Sequence, residues 1–166
     1  ATTTYTITVT DNNTCTGTDN ATVTVNSLPT ADAGADVAIC NGASTTLTAS
    51  GGVSYVWTSG DATAATTVSP VVTTTYTVTT TDANGCTDTD EVIVTVNSLP
   101  TVSAGADKSI CLGKSTSIGG SPTASGGGGT YTYLWSDASV TANPSVSPAV
   151  TTTYTVTVTD NNTCTG

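Results

Sequence analysis

The chain has 166 residues, enough for one domain or two small ones, and carries two basic residues (Lys108 and Lys114) against twelve acidic ones, a formal charge of −10. Nucleic-acid binding needs clustered Lys and Arg, and the anionic inner face of a membrane repels such a surface, so neither partner is expected. No apolar run reaches the length of a spanning helix, and the absence of histidine removes Ser–His–Asp, Cys–His and histidine–metal chemistry.

About a quarter of the residues are Thr, whose branched Cβ suits a pleated strand. Residues 1–29 open inside a strand pattern, "TTTYTITVTD". Strands are then predicted over 31–39, 45–50 and 55–59, with two short candidates within 62–72 and further strands over 76–81 and 91–96. Alternation puts Leu47 with Ala49 on one face, Val53 with Tyr55 and Trp57, and Val92 with Val94 and Val96. In the last copy Tyr154, Val156 and Val158 share a face. A period of two with no helical periodicity means half-buried antiparallel strands. "NG" at Asn41–Gly42 and Asn84–Gly85 marks two of the turns.

The chain repeats itself. Tyr5, Tyr76 and Tyr154 are spaced by 71 and then 78 residues, and Cys15, Cys86 and Cys164 keep the same spacing. "NSLPT" recurs after 71 residues, as does Cys40 at Cys111, whereas Trp57 and Trp135 are 78 apart. The extra residues fall in the Gly-rich stretch 121–130, read as a flexible loop. Residues 1–29 are therefore expected to be the last two strands of a preceding repeat, 30–100 a complete repeat, and 101–166 a repeat lacking its last strand. Residues 151–166 duplicate 2–17 except that Val156 replaces Ile7. The expectation is a window on a longer tandem array.

Short strands, a Trp on the third and a Tyr at the start of the sixth suit an immunoglobulin-like β-sandwich, in which Trp57, Trp135, Tyr76 and Tyr154 anchor the cores. The runs "AGADVAICNGASTTLTASGG", "TTTYTVTTTDANGC" and "EVIVTV" resemble the Ig-like and PKD-like repeats of very large secreted bacterial surface proteins, such as the adhesins of gliding bacteria. The fold class expected is thus all-β, as tandem Ig-like (PKD-like) antiparallel sandwiches. The resemblance implies a secreted, extracellular or cell-surface structural protein: a stalk, adhesin or filament segment, with no enzymatic activity. Its partners would be neighbouring repeats or other copies in a fibre. The alternative is a glycan- or protein-binding module using loops such as 121–130.

Five cysteines point to an oxidising compartment. In Ig topology Cys40 and Cys86 fall at opposite poles, roughly 20 Å apart, beyond the ~7 Å Cα separation a disulfide allows. In a head-to-tail string Cys40 meets Cys164 of the next repeat. Bridges within repeats, Cys40–Cys86 and Cys111–Cys164, remain the alternative, with free thiols a third. Asp11, Asp82 and Asp160 each end a strand before a turn, which they can cap. The competing reading is calcium between repeats, held by Asp32, Asp36, Asp82, Asp107 and Asp160. Asp88, Asp90 and Glu91 read as a solvated turn.

Overall fold

The structure, a computed structural model, describes residues 2–166. The described residues form an all-β protein without a helix. Strands β1 (Thr2–Thr10) and β2 (Thr16–Thr24) make an antiparallel hairpin in register from Thr2↔Thr24 to Thr10↔Thr16, every residue of both strands being exposed.

The next seven strands are β3 (Val37–Cys40), β4 (Thr45–Thr48), β5 (Ser54–Trp57), β6 (Ala65–Val68), β7 (Thr74–Thr81), β8 (Thr87–Asn97) and β9 (Pro100–Val102). A four-stranded sheet has the order β3-β8-β7-β5, and β4 pairs with β6. β3 runs parallel to β8, with Val37 opposite Val94 and Cys40 opposite Asn97. β5 runs antiparallel to β7, with Trp57 opposite Val78. The last five strands are β10 (Thr116–Ser117), β11 (Ala124–Gly126), β12 (Tyr131–Trp135), β13 (Ser145–Val146) and β14 (Val156–Asp160). They form the pairs β10-β13, β11-β9 and β12-β14.

The chain divides into two compact units, and their limits do not follow the sequence repeats. One comprises the segment ending at Gly34 with Thr48–Thr66 and Thr77–Glu91. It buries Ala33, Ala49, Trp57, Val78 and Thr80. The other comprises Ala35–Leu47, Thr67–Tyr76 and Val92–Gly166. It buries Ile39, Leu47, Val92, Val94, Trp135, Val146 and Val158. Ala33 and Ala49 lie outside the strands; within β7 and β8 the buried residues, Val78 with Thr80 and Val92 with Val94, alternate as period-two patterning requires.

The two tryptophans occupy duplicate niches, each 2% exposed. Trp57 Nε1 donates to the Thr63 carbonyl at 3.1 Å, and Trp135 Nε1 to the Thr141 carbonyl at 3.0 Å. Each indole therefore buries its rings without orphaning its N–H. Tyr76 and Tyr154 are only half-buried, at the core edge rather than inside it.

Several strand limits differ from those expected. The strand expected over 31–39 begins only at Val37 and runs to Cys40, preceded by the bridge Asp32↔Ser50. The two candidates within 62–72 are a single strand, β6. β8 begins at Thr87, because Asp88 and Asp90 are in the ladder and not in a solvated turn. Asp88 Oδ2 accepts from the Ala31 N–H at 3.0 Å and Asp90 Oδ2 from the Ala33 N–H at 2.9 Å.

Candidate functional site

The features that stand out chemically are three copies of one turn, each presenting a cysteine. In Asp11–Cys15, Asp82–Cys86 and Asp160–Cys164, the Asp N–H donates to the Cys carbonyl at 2.9 Å in every case. The residue before the Cys donates its N–H to the Asp carbonyl at 3.0–3.1 Å. The carboxylate Oδ1 then accepts two more N–H groups, from the second residue on and from the Cys itself. These bonds are 2.8 Å at Asp11 and Asp82 and 2.9 Å at Asp160. A short acceptor side chain that folds back on its own backbone is what fixes such a turn.

The turn requires a left-handed residue just before the Cys. Gly85 fills it at φ 80°, but Thr14 and Thr163 fill it at 66° and 63°. For a β-branched residue that conformation is strained.

Asp160 has a further partner. Its Oδ2 accepts the Gly128 N–H at 2.6 Å. Burial raises its pKa, but the donors Gly128, Cys164 and Asn162 outweigh burial and hold the carboxyl below 3.8. The same sense holds for Asp82, where the Cys86 N–H is the largest cause. The Gly-rich insertion is therefore not a loose loop: Ala124–Gly126 pairs with β9, and Gly128 is tied to Asp160. Glycine lets the insertion's backbone approach that carboxylate, since a Cβ on Gly127 would lie 2.5 Å from Asp160 Oδ2.

Cys164, fully buried in its turn, is bonded to Cys40 at the end of β3 with Cα atoms 5.5 Å apart. Asn41 N–H donates to the Asn97 carbonyl at 2.8 Å, and Ala43 N–H to the Cys40 carbonyl at 2.9 Å, so the turn after β3 is fixed from both sides. This bond takes both Cys40 and Cys164, which leaves no place for Cys40–Cys86 or Cys111–Cys164. Cys15 and Cys111 are free and exposed, and Cys86 is free and half-buried. The bond spans 124 positions and joins the complete sequence repeat to the one that follows. Closing so long a loop removes about 5 kcal/mol of unfolded-state entropy in the chain-entropy treatment.

The five calcium candidates lie mostly in backbone hydrogen bonds of their own. Asp32 accepts the Gly34 N–H and the Ser50 hydroxyl, and Asp36 Oδ1 accepts the Ile93 N–H at 2.8 Å. Asp82 and Asp160 centre their turns, and Asp107 is exposed. Among the described residues no three of His, Cys, Asp or Glu gather closely enough to hold a metal ion. Asp88 and Asp90 are carboxylates whose structural role, accepting the Ala31 and Ala33 N–H groups, composition misses. Their parity with Val92 and Val94 was the available signal. No family model matches the sequence, and no curated protein matches it.

Proposed function

We propose that the chain is a structural segment of a secreted cell-surface stalk, adhesin or extracellular filament, built of tandem Ig-like, PKD-like repeats. The observation that carries this reading is the Cys40–Cys164 bond between consecutive sequence repeats. A bond within one repeat stabilises that repeat alone, whereas one between repeats resists their separation under tension. The strand pairing supports the Ig-like part of the reading. β5, β7 and β8 share one sheet and β4 pairs with β6, matching the division of strands C, F and G from B and E, with a buried Trp on β5. The disulfide favours an oxidising, extracellular setting. The partners are neighbouring repeats of the same array or other copies, and the role is extension, not catalysis.

Single-molecule stretching between the chain ends tests the mechanical part. The oxidised chain hides the 124 Cα steps between Cys40 and Cys164. Reduction releases them, adding about 45 nm at roughly 3.6 Å per residue. Equal extension before and after reduction overturns the staple. Antibody labelling of intact source cells tests the location, and labelling only after permeabilisation contradicts it.

A further inference from the structure

A single register joins the start of the complete repeat to β8. Ala31 N–H donates to Asp88 Oδ2 at 3.0 Å, and Ala33 N–H to Asp90 Oδ2 at 2.9 Å. Ile93 N–H donates to Asp36 Oδ1 at 2.8 Å. β3 then runs parallel to β8, from Val37 opposite Val94 to Cys40 opposite Asn97. Asn41 N–H closes the series on the Asn97 carbonyl at 2.8 Å. The three carboxylate pairs are 57 residues apart in sequence, and so are the strand partners. Three aspartates thus carry the register of a four-residue parallel strand back to Ala31, making a zipper over 31–40.

The Cys40–Cys164 bond leaves this zipper at its far end, because Cys40 is the last residue of β3. We propose, on the reading of the chain as a tension-bearing segment, that bond and zipper form a two-stage load path. The redox state of the bond decides whether the zipper is loaded. With the bond closed, a pull applied before Thr30 and after Cys164 runs along 30–40 and across the two sulfurs. It stretches one segment from both its ends, and β8 and the rest of 41–163 lie outside the path.

With the bond open, the same pull enters at Thr30 and leaves β8 at Asn97. It acts on the start of one strand and on the end of its parallel neighbour, in opposite directions along the ladder. Bonds loaded that way share the force and break together, whereas bonds pulled from one end break in turn. Ile39 of β3 and Val92 and Val94 of β8 leave the core in the same event. Forced opening is governed by the unfolding rate, so every bond held in common lengthens the lifetime under load.

The bond is open to exchange from one side. Cys40 is half-buried and Cys164 fully buried, so an incoming thiolate reaches Cys40 Sγ. With a dithiol as reductant, one of its sulfurs bonds to Cys40, and Cys164 leaves as a thiolate and takes a proton. The second sulfur then displaces Cys40, which takes a proton in turn. The dithiol ends as a disulfide, having given up two electrons and two protons.

The test is single-molecule stretching of the full 166-residue chain with handles at exposed positions. Handles at Thr30 and Gly166 read the load path. The oxidised chain should give no unfolding step from 41–163, and a dithiol should release that stretch. Handles at Thr30 and Ser98 shear the zipper, while handles at Ala43 and Ser98 peel it from one end. In the reduced chain, shear should need severalfold more force than peel. Opening should lengthen the Thr30–Ser98 span by about 20 nm at roughly 3.6 Å per residue. Asp88→Ala should shorten the lifetime under shear about tenfold, the loss expected for one hydrogen bond to a charged group. Equal shear and peel forces in the parent chain overturn the proposal without recourse to any variant. Release of 41–163 from the oxidised chain overturns it too. Failure of the surface reading is separate, since it shows in the labelling of intact cells and leaves these forces unchanged.

Discussion

Replacing Thr163 by Gly should stabilise the protein. Thr163 sits at φ 63° in the third copy of the cysteine-bearing turn, where the second copy has Gly85 at φ 80°. A left-handed conformation costs an L-residue about 1–2 kcal/mol, and glycine gives back about 0.5–1 kcal/mol through its freer unfolded chain. The net gain is about 0.5–1 kcal/mol, or roughly 1–4 °C in Tm for a chain of this size. The reverse exchange, Gly85→Thr, should cost a similar amount, because a Cβ there meets nothing within 4 Å and only the backbone conformation is penalised. Urea melts of both variants, with the Cys40–Cys164 bond verified intact, measure the effect. A destabilised Thr163→Gly protein, or a Gly85→Thr protein as stable as the parent, refutes the reasoning.

Three more outcomes are expected. Cys40→Ser, compared with the oxidised parent in thermal melts, should lose about 2–5 kcal/mol, whereas Cys15→Ser at an exposed free thiol should melt like the parent. Gly51→Ala should cost more than 2 kcal/mol by denaturant melting, since the new Cβ would lie 1.7 Å from the Thr30 carbonyl oxygen at a φ of 94°. Asp160, Asp82, Asp90 and Asp137 all have folded pKa values below 3.8. Their stabilisation is therefore complete above about pH 3.8 and is lost as pH falls through the lower folded values. Urea melts from pH 2 to 7 should show Asp160→Asn weaker than the parent near neutrality, with the difference narrowing in acid.

Alternation alone located buried Leu47 of β4, Trp57 of β5, Val92 and Val94 of β8 and Val158 of β14, because each strand shows the core one face, but Val53, given the same face as Trp57, is exposed. It misjudged the strand ends where polar residues do structural work. Asp88 and Asp90 look like a solvated turn by composition, yet they receive the N–H groups of Ala31 and Ala33. The Gly-rich insertion reads as loose because nothing in its own residues mentions Asp160, its long-range partner. The turn capped by Asp11, Asp82 and Asp160 was legible from residue type and position. The strain at Thr14 and Thr163 was not, since only the backbone geometry reveals it.

The pairing of the thiols decides whether successive repeats are linked, and a non-reducing peptide map of the oxidised protein reads it directly. It should contain a peptide pair linking Cys40 to Cys164 within one chain, with Cys86 unattached to Cys40. A pair linking Cys40 to Cys86 would place the bond inside one repeat and contradict the claim that successive repeats are stapled together.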